Sequence, residues 1–188
     1  MIAPLFPLPR AWLFPHVVLP LHIFEPRYRQ MIEDTLDGPG RIELGTIVAG
    51  HEHEHLGAPP VEPIAGLGEI GRHERLPDGR FHLFLVGLAR VRIREVESDR
   101  LYRRVEADPI DESLPSGGEH DVLRAGICTA IRERVQEMEE IPDQVPLSAL
   151  VDFLALRLDL PHQMMQQLYS EVDPLERARA VLRCCDAS

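Results

Sequence analysis

The distribution of apolar and polar positions divides the chain into two parts that differ in periodicity. Before residue 108 the apolar residues form short runs or alternate with polar residues, most clearly at the end of the segment 80–96. Beyond residue 118 the apolar residues recur every three or four positions. Alternation is typical of a half-buried strand, and the longer period is typical of an amphipathic helix. The pattern therefore predicts a β-rich first part followed by helices.

The first part is predicted to be a set of strands joined by turns. Its opening segment, residues 4–28, contains six prolines, which remove backbone donors and exclude a single helix or a central strand. Pro26 suits the first turn of a helix at 27–36. Gly87 separates an apolar half-strand from an alternating one, so it predicts a bulge or a sharp bend. A hairpin turn is predicted at 76–79, between strands at 43–49, 61–70, 80–96 and 102–107.

The second part is predicted to be a helical bundle. Residues 108–118 have the composition of a linker, and Ser116 with Glu119 predicts a capping box at the start of the first helix. Apolar stripes predict four helices, the last of them capped by Asp173. The expected fold class is α+β, with a mostly antiparallel β pseudo-barrel over residues 1–112 and a C-terminal helical bundle over residues 117–188.

Composition excludes several kinds of enzyme. All 20 basic residues of the 188-residue chain are arginine. A Ser-Lys peptidase dyad, a Schiff-base enzyme and a phosphate-binding loop of the G-x-x-x-x-G-K-[ST] type each require a lysine amine, so none can be built from this chain. The sequence predicts no catalytic residue.

The expected location is the cytoplasm. The chain has no apolar run approaching the roughly eighteen residues of a membrane span, and its amino terminus does not resemble a secretory signal. Three cysteines without metal-ligand spacing are typical of reduced thiols.

The net charge of -11 is unevenly distributed and argues against nucleic acid as the main partner. Residues 1–110 contain 13 arginines and 16 acidic residues, net -3, whereas residues 111–188 contain 7 and 15, net -8. RNA binding stays open as an alternative, because a local basic face on the predicted strands could contact phosphates. The candidate residues for that face are Arg90, Arg92, Arg94, Arg103 and Arg104.

Two motifs suggest ligands, and both have a simpler structural interpretation. His51, His53 and His55 alternate with two glutamates, so an extended loop would place three imidazoles on one face as weak candidate metal ligands; a polar surface loop is the simpler interpretation. Residues 66–71 match the dinucleotide motif G-x-G-x-x-G, but a hairpin follows where the phosphate-binding helix would have to begin. No cofactor is therefore expected.

Three segments resemble the amino-terminal domain of Lon proteases. They are the opening FPHVVLPLHIFEPRY at 14–28, the hairpin LPDG at 76–79 and the strand VGLARVRI at 86–93, in the family's order. The resemblance implies a PUA-like pseudo-barrel followed by helices, acting in substrate recognition. In the same comparison, the chain is expected to be a stand-alone member without ATPase or peptidase domains. The implied function is a non-catalytic protein-binding or peptide-binding module.

The expected partners are unfolded or client proteins, together with a separate protease or chaperone, and no membrane; the expected state is a monomer or weak dimer. A binding surface for exposed apolar segments is predicted near the opening segment, because it contains the only tryptophan beside two other large apolar residues. Methionines, which adapt to varied partners, are predicted to extend it. The candidate residues are Trp12, Leu13, Phe14, Met164 and Met165.

Overall fold

The computed structural model of the protein describes residues 1–54, 56–112, 117–135 and 140–186. The chain forms two compact units, Met1–Ile110 and Asp111–Ser188. The first unit contains one helix, α1 (Pro26–Leu36), and six strands: β1 (Ile2–Leu8), β2 (Val18–Ile23), β3 (Arg41–Thr46), β4 (Ile64–Arg75), β5 (Phe81–Val96) and β6 (Arg104–Pro109). The second unit contains α2 (Gly118–Arg134), α3 (Leu147–Ala155), α4 (His162–Ser170) and α5 (Pro174–Asp186).

The six strands form a closed barrel with one additional strand. Their order is β2-β5-β4-β3-β1-β6, and β6 pairs back with β5, so five strands form a ring. All pairings are antiparallel except that of β1 with β3. The long strand β5 pairs with β2 through its first half and with β6 through its second half. The expected α+β fold with a mostly antiparallel pseudo-barrel is confirmed.

Strand β1 corrects the expectation that the proline-rich opening segment contains no central strand. It pairs with β6 at residues 2–4 and with β3 at residues 5–8. Each neighbour contacts only part of β1, so Pro4 and Pro7 each lie in one short ladder rather than interrupting a long one.

The apolar face of helix α1 packs against the barrel strands and contributes to a hydrophobic core of the first unit. Tyr28, Met31 and Ile32 of α1 are buried, and Tyr28 makes an edge-to-face ring contact with Phe6 at 4.6 Å. Burial of such side chains contributes about 1.5–3 kcal/mol each. The core around them also includes Leu13, Ile23, Ile42, Leu44, Phe81, Leu83, Leu85 and Tyr102.

A change in the pairing of β4 with β5 occurs beside Gly87, as predicted. Gly68 pairs with Gly87 whereas Leu67 pairs with Ala89, so Leu88 is the extra residue of β5. The chain between β1 and β2 crosses this point, where a Cβ on Gly87 would lie 2.1 Å from the carbonyl oxygen of Phe14. Only glycine allows so close an approach of two backbone segments.

The second unit is held by apolar helix faces and one buried ion network. Arg177 of α5 is fully buried, and its guanidinium lies 3.0 Å from a carboxylate oxygen of Asp152 on α3 and 2.9 Å from one of Glu112. It also donates to the carbonyl of Glu171 at 2.5 Å. Asp173 caps α5 as predicted, accepting from the backbone N–H groups of Leu175 and Glu176. The predicted cap Ser116 lies outside the described residues.

Candidate functional site

Two of the predicted binding residues are core residues, which corrects that part of the prediction. Leu13 and Phe14 are both 0% exposed. The segment that carries them is fixed to β5, because His16 donates to the carbonyl of Gly87 and Gly87 donates to that of Val17, both at 2.8 Å. Leu13 packs in the core of the barrel, and neither side chain is accessible to a partner. Trp12 precedes them and is half-buried.

Met164 lies in an apolar groove of the second unit, the larger of two grooves described here among the described residues. The groove runs between α4 and α5, has a volume of about 560 Å³, and exposes 40% of Met164. The thiol of Cys184 on α5 lies 3.5 Å from the Met164 sulfur, so both sulfur atoms belong to its wall. Met165, the neighbouring candidate, is buried and points away from solvent. The apolar lining consists of Leu160, Pro161, Met164, Leu168, Ala180 and Cys184.

The two ends of this groove differ in charge. At one end, which we call the acidic end, Glu171 terminates α4 and Glu176 lies in the first turn of α5. At the other end, which we call the mixed end, Asp159 and Arg183 have opposite charges. Glu176 accepts from Arg179 at 2.6 Å, and Arg179 also binds Glu119.

A smaller apolar groove of about 190 Å³ lies in the first unit. It is bordered by the end of β1 and by β2, with Phe6 and Tyr28 in its lining. Phe24, which follows β2, is 58% exposed at this groove. The exposed ring lies 5.8 Å from that of His22. Among the predicted binding residues, none lines this groove.

The predicted arginine face is only partly a surface. Arg90 is 1% exposed and its guanidinium lies over the Phe14 ring at 5.2 Å, so its placement on an exposed face was wrong. The reason is tertiary, since Phe14 belongs to the segment that crosses β5 at Gly87, and its ring lies against the Arg90 guanidinium. Arg92 and Arg94 are exposed, and Arg94 pairs with Glu106 of β6.

The remaining arginines of that face are also engaged by carboxylates. Arg103 makes two parallel bonds to Glu95, at 2.8 and 2.6 Å, and these bonds lower the pKa of the Glu95 carboxyl. A third bond from Arg103 reaches the carbonyl of Pro59 at 2.6 Å. Arg104 lies 3.9 Å from Asp99. Neutralised guanidinium groups release fewer counterions from a phosphate backbone.

The histidine segment forms a local turn. Residues 52–54 make one turn of 3-10 helix, and the Nδ1 atom of His51 lies 2.8 Å from a carboxylate oxygen of Glu54. His53 is exposed, and His55 lies outside the described residues. Within the described part of the chain, no group of three or more His, Cys, Asp or Glu side chains could hold a metal ion.

The glycine motif has the structural context that was expected. Gly66, Gly68 and Gly71 all lie inside β4, and a turn leading into β5 follows that strand. No strand-to-helix turn is therefore available at this motif for a pyrophosphate.

Sequence reasoning did not identify Glu43 as unusual. This residue of β3 is 0% exposed, it pairs in register with Leu5 and Leu67, and neither carboxylate oxygen has a hydrogen-bond partner among the described residues. Burial raises the pKa of the Glu43 carboxyl from 4.5 to about 7, although the amino group of Met1 acts in the opposite direction. In the sequence, Glu43 is one polar position in an apolar strand. Only the folded barrel shows that its carboxylate is removed from water and from described hydrogen-bond donors.

Comparison with known proteins agrees with this fold. The model for the ATP-dependent protease La (LON) substrate-binding domain matches residues 2–186. The structure resembles the N-terminal domain of the Mycobacterium avium complex Lon protease, with a TM-score of 0.77, 17% identity and coverage of 99% of this chain and 98% of that one. It also resembles a Lon N-terminal domain protein from Xanthomonas campestris, with a TM-score of 0.73, 23% identity and coverage of 97% and 98%.

Curated relatives extend the same comparison. Lon protease of Dictyoglomus thermophilum is 23% identical over 96% of this chain, and Lon protease 2 of Sorangium cellulosum is 30% identical over 74% of it. The chain spans only 24% and 17% of the lengths of these two relatives. None of the described helices has the length and apolar character needed to cross a membrane. Because the family model matches nearly the whole sequence, the chain belongs to the family of the ATP-dependent protease La (Lon) substrate-binding domain.

Proposed function

We propose that the chain is a non-catalytic module that binds exposed apolar segments of client proteins through the groove between α4 and α5. The observation that carries the proposal is the match of residues 2–186 to a substrate-binding domain. The groove supports the location, because it is the larger of the two apolar grooves described and contains the exposed candidate Met164.

The chemistry of the lining suits partners of varied sequence. Met164 and Cys184 present polarizable sulfur atoms in contact with each other, half-buried Leu160 adds branched apolar surface, and buried Leu168 lies at the floor of the groove. An unbranched methionine can change rotamer to fit different side chains at little cost. A groove of this size accommodates one or two large side chains rather than an extended interface, so the expected affinity is about micromolar.

The absence of lysine from the sequence supports a non-catalytic role. Neither a Ser-Lys peptidase dyad nor a lysine-containing phosphate-binding loop can be assembled from these 188 residues. We therefore propose that any degradation of a bound client is performed by residues outside these 188. The three cysteines form no disulfide, which supports action in the cytoplasm.

RNA binding receives less support. Arg94, Arg103 and Arg104 each have a carboxylate partner, and Arg90 is buried. Binding to a nucleic acid would require these pairs to be broken or rearranged, with a loss of part of the electrostatic gain. Binding of RNA is therefore an alternative result that the binding test can detect.

The test is a fluorescence anisotropy titration of a labelled, permanently unfolded model polypeptide with the purified protein. Met164→Gln is expected to weaken binding about fivefold, since it removes about 1 kcal/mol of apolar contact. Leu156→Gln is the matched control, because Leu156 is 38% exposed, similarly to Met164, but does not line the groove.

Three results would contradict the proposal. They are failure of the folded wild type to bind the polypeptide, an equal loss in both variants, and ATP or polypeptide hydrolysis that co-purifies with the protein. Binding of structured RNA with steep salt dependence, in place of polypeptide, would support the arginine face instead.

A further inference from the structure

We infer that the groove between α4 and α5 selects apolar segments that carry Lys or Arg on one side of their apolar residues. The inference rests on the proposed function and specifies its substrate class. It also gives the bound segment a direction, because only one end of the groove has an excess of negative charge.

The acidic end is negative even when its internal ion pairs are counted. Among the described residues, the basic side chain that pairs with its carboxylates is Arg179, which is shared between Glu176 and Glu119. The carboxylate of Asp173 caps α5, and the backbone N–H of Asp173 donates to the carboxylate of Glu171. Arg177 donates to the backbone carbonyl of Glu171, but its guanidinium is buried and its charge is paired with Asp152 and Glu112. Glu171 and Glu176 line this end of the groove, whereas Asp173 and Glu119 lie beside them without lining it. The guanidinium of Arg179 is the cation that pairs with carboxylates of this group.

The mixed end has no such excess. Asp159 and Arg183 line it with opposite charges. A charged client residue would therefore be attracted by one of them and repelled by the other. The apolar wall formed by Met164 and Cys184 lies toward this end, because Cys184 follows Arg183 directly on α5. A client segment is thus expected to place its largest apolar side chain at Met164 and its cation at Glu171 and Glu176.

The length of α5 sets the spacing between these two contacts. Glu176 and Cys184 are eight positions apart on α5, which corresponds to about 12 Å at the α-helical rise. An extended client covers about 12 Å in three or four residues. The preferred segment therefore has Lys or Arg three or four residues from a large apolar residue.

The charge of the rest of the unit acts in the same direction. Residues 111–188 have a net charge of -8, so a cationic segment is attracted before contact and an acidic one is repelled. This contribution depends on salt, whereas the apolar contact at Met164 does not share that dependence.

The probes are three labelled twelve-residue peptides that differ only in charge. Each contains the same Leu-Phe pair, followed three and four residues later by two Lys, two Gln or two Glu. We expect the Lys peptide to bind about three- to tenfold more tightly than the Gln peptide, and the Glu peptide to bind most weakly, at about 20 mM salt. The preference should largely disappear at about 500 mM salt.

The protein variant for the test is Glu171→Gln with Glu176→Gln. Glutamine keeps the side-chain oxygen that accepts from Asp173 or Arg179, so α5 and its cap should stay intact. The double variant should lose most of the Lys preference, and the remainder should reflect only the net charge of the rest of the unit. Glu133→Gln is the control, because Glu133 is an exposed residue of α2 that does not line the groove.

The outcomes separate the inference from the proposed function. Equal binding of the three peptides by the wild type, with Met164→Gln weakening all of them, would overturn the charge selection and leave client binding intact. A Lys preference that is unchanged in the double variant, or equally reduced by Glu133→Gln, would overturn the assignment to the acidic end. Failure of all three peptides to bind at any salt concentration would overturn both.

Discussion

The buried carboxylate of Glu43 gives the barrel a measurable dependence on pH. Glu43 is completely excluded from solvent on β3, and no described group donates to either of its oxygens. Its pKa rises from 4.5 to about 7 on folding, mainly because burial disfavours the charged form. Each unit of pKa corresponds to 1.36 kcal/mol, so ionised Glu43 destabilises the folded state by about 3 kcal/mol at pH 8.

The sign of the effect follows from proton binding. Below pH 4.5 the carboxyl is protonated in both states, and it contributes no pH dependence. Between pH 4.5 and about 7 the folded chain keeps a proton that the unfolded chain has released, so the free energy of unfolding falls as pH rises. Above about pH 7 both states are ionised and the full penalty remains.

The Glu43→Gln variant tests this effect. Its free energy of unfolding is compared with that of the wild type by urea unfolding, followed by circular dichroism from pH 4 to pH 8. The variant cannot ionise, so its advantage over the wild type should grow from about zero at pH 4 to about 3 kcal/mol at pH 8. Glu74→Gln, at an exposed position of β4, should show no such growth. A constant difference between Glu43→Gln and the wild type over this range would refute the reasoning.

Three further predictions concern stability. Gly87→Ala should cost at least about 3 kcal/mol, measured by urea unfolding, because the added Cβ would overlap the carbonyl oxygen of Phe14. Arg177→Met should cost about 3–5 kcal/mol in the same assay, because it leaves the buried carboxylate of Asp152 without its cation. Replacing the histidine segment with alanines should change the melting temperature negligibly, with or without chelator, since no described core contact depends on it. This triple variant carries His51→Ala, His53→Ala and His55→Ala.

Each of these predictions has a control and a contrary result. Gly118→Ala should be tolerated, because no atom lies within 4 Å of its added Cβ; equal effects of the two glycine substitutions would contradict the close-approach argument. Adding Asp152→Leu to Arg177→Met should recover part of the lost stability, and no recovery would argue against a charge-based cost. A metal ion retained through dialysis, with a clear loss of stability in the histidine variant, would favour the metal alternative.

Local patterns predicted most of the fold. The alternating second half of β5, the bulge beside Gly87 and the cap at Asp173 each depend on a few neighbouring residues, and all three are found in the structure. The amino-terminal motifs identified the Lon family, which the match over residues 2–186 confirms. These features are encoded in short segments, so sequence periodicity and turn chemistry are sufficient to find them.

The site was harder to predict because accessibility depends on tertiary contacts. Trp12, Leu13 and Phe14 are adjacent large apolar residues, yet the segment's hydrogen bonds to Gly87 bury the last two. The same crossing buries Arg90, although alternation along β5 correctly described its neighbours Arg92 and Arg94 as exposed. The periodicity of apolar residues does not indicate which loop will cover a strand.

The groove was only partly predicted for a related reason. Met164 was selected for its side-chain chemistry and is exposed, whereas its neighbour Met165 is buried by the helical phase of α4. The acidic end combines Glu171, the C-cap of α4, with Glu176 in the first turn of α5. Its charge excess depends on how these residues pair, which the sequence does not specify.

Binding of client segments in the groove between α4 and α5 can be mapped on the backbone amides of the chain by NMR. A reduced, permanently unfolded polypeptide would be titrated into isotope-labelled protein, and chemical-shift changes would be followed residue by residue. We expect the largest changes on α4 and α5, around Met164, Leu168 and Cys184. Changes confined to the arginines of β5 and β6, or the absence of any change at saturating polypeptide, would contradict binding in this groove.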